Sequence, residues 1–157
     1  MTMEQRINMW EKGQKAIKTL FSLGAYLKKS SIEEHLLNLI DFRVSQINGC
    51  AYCLDMHSKD LRAAGESEQR LYLMDAWREA PFYTDRERAA LAWAEAVTKL
   101  EGGVSDEVYE QAREQFSEEE LVDLTMGVIA INAWNRINVP FRTKAGDYQP
   151  GQFAVAH

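Results

Sequence analysis

The chain has 157 residues, 46% of them apolar and 27% charged. That composition excludes a disordered or low-complexity segment and suffices for one domain with a real core. Eighteen basic against 24 acidic residues leave a net charge of −6, which argues against nucleic acid or an anionic membrane as partner, since both call for a basic face. No apolar run exceeds six residues (Ala89–Ala94 and Met126–Ile131 are examples), too few to span a bilayer. The first residues, Met1–Arg6, are polar and offer no apolar signal core, so the expected location is the cytoplasm.

Apolar residues recur at intervals of three and four with no β alternation, which predicts an all-α domain without internal repeat over residues 1–142. A first helix is expected from about Ile7 to Tyr26, carrying Trp10, Ile17, Leu20 and Phe21. Ser31 and Glu34 have capping-box spacing and predict a helix with Leu36, Ile40, Val44 and Ile47 inward. Asn48-Gly49 should break it, with Asn48 capping a new helix that holds Cys50 in its first turn. Thr84 and Glu87 open Arg86–Lys99, whose stripe is Ala90, Leu91, Ala94 and Val97; Ser105 caps Asp106–Gln115. Ser117 and Glu120 open a long segment through Leu121, Leu124, Val128 and Ile131, which Trp134-Asn135-Arg136 is expected to end. Because Leu124–Ile131 is apolar on nearly every side, it predicts a helix central to the core or shared with a second copy, hence a homo-oligomer. Residues 143–157 lack periodicity and read as an extended tail or interface arm.

The two cysteines, Cys50 and Cys53, are too few for a stapled scaffold and are spaced as a redox pair. In the stretch Arg43–His57 (RVSQINGCAYCLDMH), offsets of three and then four put Cys50, Cys53 and His57 on one helix face. A thiol near a helix N-terminus meets unpaired N–H groups and the positive dipole end, both favouring thiolate. His57 can take the Cys53 proton directly or through a water. A thiolate attacks a peroxide O–O bond to leave a sulfenic acid, which a second thiol condenses into a disulfide. The neighbouring His57 favours Cys53 as the attacking thiol and Cys50 as the resolving one; the field at the helix end favours the reverse, and both assignments stay open. Simpler readings compete. The cysteines could be small buried hydrophobes. A structural zinc site would need four ligands, with only His35 and His157 as further nitrogens. Leu54 stands where haem attachment needs a histidine. No metal and no organic cofactor is expected.

The same stretch, with Glu87–Thr98 (ERAALAWAEAVT) and Phe116–Arg136 (FSEEELVDLTMGVIAINAWNR), resembles the alkylhydroperoxidase-D-like (AhpD-like) branch of the carboxymuconolactone decarboxylase family. The resemblance implies an all-α fold with the redox pair at a helix start and assembly as a trimer or hexamer. It also implies peroxidase activity through a reversible disulfide, re-reduced by a thiol or dithiol donor such as a lipoylated protein. It carries Cys50, Cys53 and His57 over as redox pair and proton-relay histidine. The chain departs from the pattern at two positions. Family peroxidases carry a glutamate twelve residues before the first cysteine, where this chain has Asn38; asparagine can orient a histidine but cannot accept its proton. They can also carry a histidine between the cysteines, where Tyr52 stands and could shape substrate access. A substitute carboxylate is then sought at Glu34 or Asp41, near the same helix face as Asn38, or at Glu95 beside the core-like Trp93 and Ala94. Arg43 is expected to hold a carboxylate from another helix. Trp134 would sit in the core, at an interface or along the pocket wall, with Arg136 pairing across a subunit contact.

The expected function is thus a thiol-dependent peroxidase for hydrogen peroxide or alkyl hydroperoxides, with an apolar pocket shared between subunits. A thiol–disulfide exchange protein serving a partner enzyme keeps the same chemistry without peroxide. Lactone decarboxylation has no need of a thiol pair, and a non-catalytic assembly protein would show thiols of ordinary pKa.

Overall fold

The computed structural model describes residues 3–153, and the regular structure among them is helical. The helices are α1 (Met9–Lys12), α2 (Gln14–Leu27), α3 (Glu34–Asn48), α4 (Ala51–Ala63), α5 (Glu68–Tyr72), α6 (Asp85–Lys99), α7 (Asp106–Gln115) and α8 (Glu118–Phe141), with a 3-10 turn at Met74–Ala76. Among the described residues no helix is long and apolar enough to cross a membrane.

The capping boxes of α6 and α8 form as expected. Thr84 and Ser117 each accept from the N3 amide, while Glu87 and Glu120 reach back to the cap amide. Ser105 caps α7 through the Val108 amide. Ser31 does not cap α3. Its amide and hydroxyl instead donate to Asp123 of α8, at 3.1 and 2.8 Å, and Glu33 takes the cap position without a side-chain bond. A buried carboxylate is the stronger acceptor. Tyr26 donates to its other oxygen at 2.5 Å, and these bonds hold the Asp123 carboxyl below its ordinary range. The expected single N-terminal helix is two helices, because Gly13 leaves helical geometry (φ −116°, ψ 16°) and a Cβ there would lie 3.0 Å from the Met9 carbonyl.

α3 is the hub, packed against α4, α6 and α8. The reading of a single apolar stripe captured half of its role. Leu36, Leu37, Ile40 and Val44 join Ala90, Ala94, Leu124, Val128 and Ile131 in one core, whereas Leu39 and Phe42 join Leu61, Leu71, Met74, Trp77 and Leu91 in another. A helix buried on two sides fixes the position of its C-terminus, where the cysteines follow. α8 also runs past Trp134-Asn135-Arg136, with Asn135 wholly buried in mid-helix; the helix ends at Phe141, and Arg142 takes the left-handed cap (φ 54°). Pro140 lies in this last turn, where it removes one intrahelical hydrogen bond just before the helix ends.

Residues 143–153 fold back on α4 of their own chain. Lys59 Nζ donates to the carbonyls of Gly146 and Tyr148 at 2.9 and 3.0 Å, the Gly146 amide donates to Asp55, and the Tyr148 hydroxyl reaches Asp60 at 2.8 Å. The last four residues of the expected tail, 154–157, lie outside the described residues.

At Gly127 α8 lies close against side chains of α3. A Cβ there would stand 2.8 Å from Leu37 Cδ2 and 3.4 Å from Ile40 Cδ1. Gly127→Ala should change stability by no more than about 1 kcal/mol, because better helix propensity offsets a small shift of Leu37. Gly127→Val should cost about 2 kcal/mol or more in denaturant unfolding; equal effects of the two substitutions would contradict this packing.

Candidate redox site

The site is made by one turn. α3 ends at Gly49, which adopts the left-handed conformation (φ 66°, ψ 37°) that glycine takes without steric cost. The Cys50 amide donates back to the Ser45 carbonyl at 3.0 Å and the Gly49 amide to the Gln46 carbonyl at 3.3 Å, the paired bonds of a Schellman ending. Cys50 is therefore already extended (φ −88°, ψ 96°) and serves as the N-cap of α4. Its sulfur accepts from the Cys53 amide at 3.3 Å. The expectation that Asn48 caps α4 is corrected: Asn48 is the last residue of α3, and the cap is the cysteine itself. Here Cys50 and Cys53 are joined in a disulfide, Cα atoms 5.3 Å apart.

Cys53, His57 and Leu61 form the buried face of α4, so the expected common face holds for Cys53 and His57, while Cys50 precedes the first turn as the cap. His57 is stripped of solvent, and burial lowers its pKa to about 4. The imidazole is thus neutral near pH 7, with its Nδ1 buried and without a hydrogen-bond partner. Of the four relay candidates, Asp41 is the one the fold brings to the histidine, its Oδ2 lying 3.9 Å from His57 Nδ1. Burial pushes Asp41 up to about 8 although 22% of its side chain remains exposed. At neutral pH the pair is a protonated acid beside a neutral base rather than an ion pair.

Among the described residues none of the other candidates hydrogen-bonds His57 Nδ1. Asn38 is half-buried and Glu34 exposed. Glu95 is buried but committed: it accepts from Arg43 Nε at 2.8 Å, Trp77 Nε1 at 2.9 Å and Arg78 at 2.6 Å. Burial pushes Glu95 up, and these three donors outweigh it and hold the carboxyl low. Arg43 also donates to Asp75 at 2.6 Å, which matches the expectation that it holds carboxylates from other elements. Tyr52 is half-buried, its phenol pKa raised by burial and by Asp55. Trp134 packs in an aromatic cluster, 6.2 Å from Trp10 and 5.4 Å from Phe21, with Phe153 stacked 5.3 Å from Trp10. Within the chain Arg136 turns to Asn132.

Sequence reasoning missed the asparagines of α8. Asn132, Asn135 and Asn138 recur every third residue and face the redox turn. Asn48 Nδ2 donates to Asn132 and Asn135 at 3.0 and 2.9 Å, and Asn135 Nδ2 donates to the Ser45 hydroxyl at 3.0 Å. Asn138 Nδ2 lies 3.7 Å from Cys53 Sγ. The signal was present as amides at regular spacing in an apolar helix, where unpaired polar groups would be costly. Both sulfurs are closed over, each cysteine being 1% exposed. Two surface cavities, of about 400 Å³ beside Trp77 and Arg88 and about 340 Å³ beside Trp93 and Tyr109, are lined by neither cysteine nor His57.

A Cys-x-x-Cys pair at the start of a helix buried along one face, in an all-helical domain with a histidine one turn on, is the arrangement of an AhpD-like protein. The chain belongs to the carboxymuconolactone decarboxylase family, whose model matches residues 14–96. It is 42% identical to the uncharacterized protein YdfG of Bacillus subtilis (strain 168) over 91% of this chain and 98% of that one. Among solved structures it is similar to a protein of unknown function from Agrobacterium tumefaciens, described as a candidate antioxidant defence protein AhpD. That match has a TM-score of 0.88, 45% identity and coverage of 92% and 100% of the two chains. An uncharacterized peroxidase-related protein with an alkylhydroperoxidase AhpD core, from Ralstonia eutropha JMP134, shares the fold at a TM-score of 0.75 and 21% identity, over 85% and 72% of the chains.

The Asp41–His57 pair gives stability a distinctive pH dependence. The fold keeps Asp41 protonated up to about 8 and His57 neutral down to about 4, against ordinary values of 3.8 and 6.5. Between pH 4 and 6.5 folded and unfolded chains each hold one of these protons, so the effects offset. From pH 6.5 to 8 only the folded chain holds one, and stability falls as pH rises, by roughly 1–2 kcal/mol. In Asp41→Asn that decline should vanish, leaving a rise from pH 4 to 6.5 and then a plateau in chemical unfolding. An unchanged decline would show that Asp41 ionises normally in the fold.

Proposed function

We propose that this protein is a thiol-dependent peroxidase that reduces hydrogen peroxide or alkyl hydroperoxides through Cys50 and Cys53. The observation that carries the reading is the placement of both sulfurs at the N-terminus of α4, with the neutral His57 one turn beyond. The Cys53 thiol ionises at the positive end of α4, its proton passing by way of the neighbouring His57 to solvent rather than resting on the imidazole, and the thiolate attacks the outer peroxide oxygen. The O–O bond breaks, the sulfur is oxidised to a sulfenic acid, and the departing oxygen takes a proton to leave as alcohol or water. The Cys50 thiolate then attacks the Cys53 sulfur. Hydroxide is expelled, protonated to water, and the disulfide closes. A thiol or dithiol donor, of which a lipoylated protein is one form, returns two electrons and two protons. His57 needs no ion-pair partner for this cycle; protonated Asp41 beside it can steady the imidazole and return a proton.

Asn38 at the position of the family's glutamate favours a second reading, thiol–disulfide exchange with a partner protein and little peroxide turnover. The burial of both sulfurs weighs the other way, since a small oxidant reaches a closed site more easily than a protein thiol does. Assembly of copies, as a trimer or hexamer, belongs to the same proposal. It is supported by the exposed Val122 and Ile129 on α8 and the exposed Tyr109 on α7.

In an assay coupled to a dithiol reductant, Cys53→Ser should lower peroxide consumption by at least about a thousandfold. Without reductant, Cys50→Ser should consume one equivalent of peroxide and stop at the Cys53 sulfenic acid. Consumption that survives Cys53→Ser would overturn the assignment, and rapid reduction by a lipoyl donor with negligible peroxide turnover would establish the exchange reading.

A further inference from the structure

We infer that Asn138 of α8 is the side chain that stabilises the Cys53 thiolate, by donating an amide N–H to its sulfur. The inference rests on the reading of Cys53 as the reactive thiol and adds a residue to it. Asn138 is 3% exposed, and its Nδ2 lies 2.9 Å from the Trp134 carbonyl and 3.7 Å from Cys53 Sγ. The carbonyl is acceptor-only, so it fixes which end of the amide faces it: turning the amide over would set oxygen against oxygen. With one N–H spent on Trp134, the other is directed to the sulfur. The Asn138 oxygen is buried without a partner, a cost the fold bears at this one amide while Asn132 and Asn135 next to it are satisfied through their oxygens.

The surroundings leave this work to an uncharged donor. On α3, Asp41 lies beside His57 and is held protonated, while Arg43 is engaged by Glu95 and Asp75. On α4, His57 is held neutral, and Tyr52 has its pKa raised. On α8, Arg136 is turned to Asn132. Cys50 already has a donor in the Cys53 backbone amide. Asn138 gives Cys53 the matching one, so each sulfur of the pair has an N–H to receive charge when the disulfide opens. A neutral donor to a thiolate makes a charge-assisted hydrogen bond, stronger than the bond to the same sulfur in a disulfide or thiol.

Two measurements test this without peroxide, so their failure is separate from failure of the peroxidase reading. In reduced Cys50→Ser protein, where Cys53 is the only thiol, the Asn138 side-chain amide should shift in ¹⁵N NMR with the same midpoint as thiolate absorbance at 240 nm. In the same background, Asn138→Leu should raise the Cys53 pKa by about one unit, a roughly tenfold loss of thiolate near neutral pH. The near-isosteric Asn138→Asp should raise it further. An amide resonance that ignores the titration, or a Cys53 pKa unchanged in the folded variants, would overturn the inference; should the variants fail to fold, the NMR titration alone decides.

Discussion

The structure depends on how α3 is stopped. A left-handed Gly49 folds the chain back so that two consecutive amides, of Gly49 and Cys50, close onto the last turn of α3. Only then is Cys50 extended enough to act as an N-cap, with its sulfur accepting the Cys53 amide. A side chain at residue 49 would be strained in that conformation whatever the space around it. One backbone conformation thus ends a helix, starts the next and sets two sulfurs within bonding distance at the positive end of α4.

That turn is held in place from outside by amides. α8 crosses α3 closely at Gly127 and continues past the turn, where Asn132 and Asn135 grip Asn48 and Ser45. Uncharged donors and acceptors suit the place. They satisfy buried polar groups without the desolvation penalty of ions, and they leave His57 and the sulfurs free of fixed charge. Charges are instead gathered on the far side of α3, where Arg43, Arg78 and Trp77 surround Glu95. The separation explains why a buried glutamate that looks suited to proton transfer has a structural part here.

Local chemistry was legible in the sequence. The boxes at Thr84 and Ser117, the cap at Ser105 and the shared face of Cys53 and His57 all follow from spacing over three or four residues. Long-range competition was not. Ser31 has the spacing of a cap yet turns to Asp123, ninety-two positions away, and Asn48 has the chemistry of a cap yet is drawn to α8. Selecting Asp41 over Glu34, Asn38 and Glu95 required knowing which side chain α3 turns toward α4. The asparagines of α8 were visible as a pattern, but what they face is a property of the packing.

The reactive pair itself is tested most directly by mass. Reduced protein given one equivalent of hydrogen peroxide should lose two hydrogens, with the loss confined to the peptide that holds Cys50 and Cys53 and reversed by a dithiol. A mass that stays unchanged, or one that gains oxygen at methionines instead, would contradict a redox role for this turn.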